Sequence, residues 1–60
     1  MASDETRRIL KVFGVAVTSL EEAIDARKPI AEITHWDAEL ADRTREVIAL
    51  VERLRSRRIA

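Results

Sequence analysis

One spacing in this chain could bind a metal: Glu32-Ile-Thr-His35. A carboxylate and an imidazole three positions apart form the Glu-x-x-His pair that holds di-iron centres in ferritin-like bundles. On a helix, however, Glu32 and His35 share a face with Glu39, Asp42 and Glu46. Ligands of a buried site need apolar neighbours on their own face, so we interpret the pair as a solvated first helical turn. The sequence predicts no metal and no cofactor.

Catalytic side chains are scarce. His35 is the single histidine and there are no cysteines. No serine lies in a nucleophile elbow or beside an obvious base, which nucleophilic catalysis requires. A lone histidine next to a helix cap is typical of a structural position. The sequence therefore predicts that the protein is not an enzyme.

A basic run near the C-terminus, RLRSRR, resembles a nucleic-acid patch. Its candidate contact residues are Arg53, Arg55, Arg57 and Arg58. Cations are also favoured at a helix C-terminus for purely local reasons. Eleven basic and eleven acidic side chains give a formal net charge of zero, so no global attraction to nucleic acid exists. We keep nucleic-acid binding as the alternative function.

The stretch KVFGVAVTSLEE, residues 11–22, fits either of two structures. A β-strand over residues 8–18, leading into a helix capped at Ser19, would suggest a ribbon-helix-helix DNA binder. Neither face of that strand is clearly polar, although a ribbon that reads DNA needs polar side chains in the groove. Helical periodicity instead yields an unbroken apolar stripe. The stripe contains Ile9, Leu10, Phe13, Ala16, Val17, Leu20, Ala23 and Ile24.

The predicted first helix covers about residues 3–28, with Ser3 as its N-cap, and ends before Pro29. A turn over about residues 28–33 leads to a second helix over about residues 34–57. Thr34 is its candidate N-cap, and Pro29 at the first helical position is the competing start.

Sixty residues without cysteines form at most one domain, and a chain of this length usually needs oligomerisation as extra support. We predict an all-α fold: a two-helix antiparallel hairpin that dimerises into a four-helix bundle. The predicted interface residues are Ile9, Val12, Phe13, Val15, Ala16, Leu20, Ile24, Trp36, Leu40, Val47, Val51 and Leu54.

The function expected from this pattern is a protein–protein interaction module for assembly, docking or subunit regulation. It would act as a homodimer, and a larger protein is a second potential partner. No apolar run is long enough to cross a bilayer, so the sequence predicts a cytoplasmic protein without a membrane partner.

Charge is segregated along the predicted hairpin. Its open end, residues 1–14 and 50–60, holds seven basic and three acidic side chains, a net of +4. The turn half, residues 15–49, holds four basic and eight acidic ones, a net of −4. This segregation favours a dimer in which the two turns lie at opposite ends.

Overall fold

The computed structural model describes residues 1–59, and this part of the chain forms two α-helices, α1 (Asp4–Asp25) and α2 (Ile30–Ile59). The two pack against each other as a hairpin, which confirms the predicted all-α architecture. The strand alternative for residues 8–18 is wrong, because α1 runs through them without interruption. Ser19 does not cap a helix but lies half-buried inside one.

Local chemistry at Ser3 starts α1. Its backbone is extended, with φ −70° and ψ 162°, and its hydroxyl oxygen accepts a hydrogen bond of 3.1 Å from the Thr6 backbone N–H. Asp4 and Glu5 follow in the first turn, where negative charge stabilises the positive end of the helix dipole. The predicted N-cap is confirmed.

The chain leaves α1 through a left-handed residue. Arg27 has φ 54°, its N–H donates to the Ile24 carbonyl, and the Lys28 N–H donates to the Ala23 carbonyl. These two bonds form the Schellman arrangement that satisfies the last carbonyls of a helix. The helix consequently ends at Asp25, three residues before the predicted end.

Pro29 stands immediately before α2. Its carbonyl accepts from the N–H groups of Glu32 and Ile33, at 3.0 and 3.2 Å, and so satisfies donors of the first turn. Thr34 therefore lies inside α2 rather than at its N-cap. The helix starts at Ile30, which agrees more closely with the proline alternative than with Thr34.

The antiparallel register is visible from contacts along the hairpin. Near the open end, Arg53 Nη2 donates to Glu5 Oε1 at 2.7 Å, and nearer the turn Leu20 and Leu40 line one groove. The side chains buried between the helices are Ile9, Ala16, Ala23 and Leu50. The molecule measures 47 × 18 × 13 Å along its principal axes, so the helices form a single layer.

Candidate protein interaction surface

Seven-residue spacings divide α1 into parallel lines, because residues seven apart lie on nearly the same side of a helix. Ile9, Ala16 and Ala23 form the buried line. The residue that follows each of these three in the sequence is also apolar, yet it points into solvent. This exposed line is Leu10 (49% exposed), Val17 (39%) and Ile24 (53%).

Between those two lines lie Phe13 and Leu20, which are half-buried. On this side of α1, the surface is thus apolar all the way from the buried line to the exposed line. A monomeric hairpin leaves this strip in water.

The second helix carries a matching strip. Leu40 and Val47 are half-buried, while Val51 and Leu54 are 44% and 43% exposed. Thr44 lies among them, but its hydroxyl donates to the Leu40 carbonyl at 2.7 Å. With its hydroxyl satisfied by its own helix, Thr44 can present its methyl group to a partner.

A groove shows that both strips lie on the same side of the hairpin. Its volume is about 290 Å³, and α1 and α2 both contribute to its walls. The lining residues are Val17, Leu20, Glu21, Ile24, Asp25 and Leu40. We call the combined surface the apolar face; it comprises Leu10, Phe13, Val17, Leu20 and Ile24 of α1 and Leu40, Thr44, Val47, Val51 and Leu54 of α2.

The opposite side of the hairpin, the polar face, carries charge. Its residues are Glu5, Val12 and Ser19 of α1 and Glu39, Glu46 and Arg53 of α2. The Glu5–Arg53 pair crosses between the helices on this side. At its edge, Arg43 Nη1 lies 3.2 Å from Glu46 Oε1.

The predicted interface residues fall into three groups. Ile9 and Ala16 are buried within the hairpin itself. The half-buried group is Val12, Phe13, Leu20, Trp36, Leu40 and Val47, and the exposed group is Val15, Ile24, Val51 and Leu54.

Helical geometry separates Val15 from the other exposed residues, since it lies on the polar flank of α1 with Arg8 and Glu22, seven residues to either side. Leu10 and Val17 were absent from the predicted interface although they belong to the apolar face. The seven-residue repeat of Leu10, Val17 and Ile24 was the signal that could have found them.

The candidate nucleic-acid residues are exposed, but they do not form one patch. Arg53 is paired with Glu5 across the hairpin. Helical spacing places Arg57 on the side of Arg53, while Arg55 and Arg58 lie towards the apolar face.

The Glu-x-x-His motif remains at the surface, with Glu32 and His35 both exposed. The His35 ring meets the half-buried Trp36 ring edge-on, with centroids 4.9 Å apart and planes at 68°. Within residues 1–59, no three His, Cys, Asp or Glu side chains gather in a way that could hold a metal ion.

Comparison with protein-family models, curated proteins and solved structures finds no match. Neither helix within residues 1–59 is long and apolar enough to cross a membrane.

Proposed function

We propose that the protein is a non-enzymatic interaction module that acts as a homodimer, with two hairpins packed through their apolar faces into a four-helix bundle. One observation carries the proposal: a single layer of two helices exposes a continuous apolar surface on one side and a charged surface on the other. Stable domains consist of at least two packed layers around a core. A second hairpin supplies the missing layer.

The exposed area supports this stoichiometry. The chain has 4918 Å² of accessible surface, whereas a compact monomer of 6.8 kDa has about 4,000 Å². The excess, roughly 900 Å² per chain, is similar to the ~800 Å² that each partner buries in an interface of standard size. Dimerisation through one face would bring the accessible surface of each chain close to that of a compact monomer of the same mass.

A bundle of this type provides assembly, docking or subunit regulation rather than chemistry. Its outer surfaces are the two polar faces, which stay free for a larger protein partner. Arg55, Arg57 and Arg58 remain the basis of the alternative, a nucleic-acid-binding regulator. Retention on RNA or DNA that falls steeply with salt would support that alternative.

Two valines on opposite flanks of α1 allow a matched test. Val17 lies on the apolar face and is 39% exposed, whereas Val15 lies on the polar flank and is 50% exposed. Val17→Asp would place a charge inside the dimer interface, where burial of an unpaired carboxylate is strongly unfavourable. We expect sedimentation equilibrium to show a dissociation constant at least about a hundredfold higher for this variant.

Val15→Asp is the control and should leave the dimer within a few-fold of the wild type. A wild-type protein that sediments as a monomer over a hundredfold range of concentration, with a melting temperature that does not change, would refute the homodimer.

A further inference from the structure

The spacing of the apolar face on α1 is the same in both chain directions. Together with the preceding Thr6, its residues alternate four- and three-residue steps: Thr6, Leu10, Phe13, Val17, Leu20 and Ile24. If a second α1 ran antiparallel across this face, Leu10 would lie opposite Leu20. Phe13 would lie opposite Val17 in the same register. Such alternating steps allow side chains of facing helices to interdigitate.

A line of three residues borders this face on its outer side: Arg7, Gly14 and Glu21, each seven residues from the next. This line is centred on Gly14, one residue from the centre of the apolar pattern at Val15. In the antiparallel register Arg7 therefore lies within about 3 Å, along the helix axis, of the second copy's Glu21 at each end, and the two Gly14 residues lie equally close to level near the axis. Because Arg7 and Glu21 lie at equal distances from Gly14, each faces an opposite charge only when the two α1 helices are antiparallel.

Among the residues that the structure describes, nothing in the packing of the single hairpin requires glycine at position 14. A Cβ added there would meet none of the described atoms within 4 Å, although glycine is disfavoured inside a helix. Close approach of a second backbone at this point gives the glycine a physical reason.

The second helix has the same symmetry. Antiparallel pairing of two α2 helices about a point between residues 45 and 46 sets Leu40 opposite Val51 and Thr44 opposite Val47. It also sets Leu54 opposite Asp37, and the adjacent Arg55 supplies that carboxylate with an opposite charge.

One two-fold axis serves both helices. The Glu5–Arg53 pair and the groove shared by Leu20 and Leu40 define the register of the hairpin. In that register, residues 45 and 46 of α2 lie level with residues 13 and 14 of α1. The centre of the α1 pattern is at residues 14–15, so both helices can pair around the same axis, as an isologous dimer requires.

The opposite orientation, with both turns at one end, fits less well. It would lay α1 on the second copy's α2, with Leu20 level with Leu40 and Glu21 level with Asp37, so that two carboxylates lie side by side. Arg7 would face Val51, without an acidic partner. Juxtaposed like charges disfavour this orientation.

We infer that the second copy lies end over end, with each helix packed antiparallel on its own counterpart, Gly14 near the axis, and an Arg7–Glu21 ion pair at both ends of the α1–α1 contact. This inference rests on the proposed function, because it specifies how the homodimer is arranged.

Charge reversal tests the pairing. We would measure dimer dissociation constants by sedimentation equilibrium at low ionic strength for Arg7→Glu, Glu21→Arg and the double variant R7E/E21R. Each single change converts two attractive contacts per dimer into repulsive ones, and should raise the dissociation constant on the order of tenfold. The double variant restores opposite charges and should return to within about threefold of the wild type.

The effects of these changes on the stability of α1 itself oppose the expected loss of dimer affinity. Arg7→Glu places an acid near the helix N-terminus and four residues before Lys11, and Glu21→Arg places a base four residues before Asp25. At position 7 the lost attraction between Arg7 and Asp4 opposes this gain and is offset by the helix dipole, so both changes are neutral or favourable for the isolated helix. A weakened α1 is therefore not the expected cause of weaker dimerisation in the single variants.

Arg8 and Glu22 provide the control, because they have the same spacing but lie on the polar flank of α1. Arg8→Glu and Glu22→Arg should each leave the dissociation constant within about threefold of the wild type. If R7E/E21R is as weak as the sum of its single variants predicts, the end-over-end arrangement is overturned while the homodimer stands. If the wild type does not dimerise, the proposed function fails first.

Discussion

At the scale of single residues, the two ends of α1 differ in how far the sequence predicts them. The Ser3 cap is predictable because its chemistry is local: a hydroxyl reaches the N–H of the residue three positions on. The left-handed turn at Arg27 is not predictable from the sequence, since the left-handed residue that ends a helix is usually glycine. Arg27 adopts φ 54° because the two hydrogen bonds that close α1 require a left-handed residue at this position.

This strain yields a prediction. Arg27→Gly removes the steric cost of a side chain in the left-handed region and should stabilise the protein by about 1 kcal/mol. The neighbouring Ala26 has φ −82°, so Ala26→Gly gains nothing and should be destabilising by up to about 1 kcal/mol. Thermal melts at one fixed protein concentration would measure both. A lower melting temperature for Arg27→Gly would show that the backbone there is not strained.

At the scale of elements, hydrophobic periodicity predicts both helices but not which apolar line of α1 packs inside the hairpin. The predicted stripe contains two adjacent lines, Ile9-Ala16-Ala23 and Leu10-Val17-Ile24. Periodicity alone treats them alike. The structure buries the first, whose alanines let the helices approach closely, and exposes the second. The sequence therefore predicts an apolar surface wide enough to contact both α2 and a second copy. It does not predict which of the two lines makes which contact.

The α2 line that faces α1 contains an unexpected residue. Trp36, Arg43 and Leu50 are seven residues apart, so Arg43 is placed among apolar neighbours. Its Nε and Glu46 Oε1 are buried and make no hydrogen bond among residues 1–59, although Arg43 Nη1 lies 3.2 Å from that oxygen. A partly desolvated pair of this kind contributes little net stability.

Replacement of this pair by leucines should consequently stabilise the hairpin. Because the two side chains are 26% and 38% exposed, we expect the double variant R43L/E46L to gain up to about 1 kcal/mol in the free energy of unfolding. Asp42 and Arg45 form the matched control, because they have the same three-residue spacing at 2.6 Å but are 55% and 75% exposed. D42L/R45L should change stability by less than about 0.5 kcal/mol. Equal effects of the two double variants in chemical denaturation would rule out a special cost at Arg43.

At the scale of the whole molecule, shape and charge lead to one arrangement. The hairpin has a radius of gyration of 14.2 Å, larger than the ~10 Å of a compact chain of this length. Its apolar face is long enough for a second hairpin along its full length. Apolar burial would supply the affinity of the dimer, while the exposed ion pairs, each worth at most about 1 kcal/mol, would select its orientation.

The most direct test is a distance between the two turns of a dimer. A spin label on Lys28→Cys gives one label per chain, because the protein has no other cysteine. In the end-over-end arrangement, Lys28 of one copy lies level with the opposite end of the other, so pulsed electron paramagnetic resonance should give about 40 Å between labels. A distance of about 20 Å or less, as expected for turns at the same end, would contradict the arrangement, and the absence of any dipolar coupling at high protein concentration would contradict the dimer.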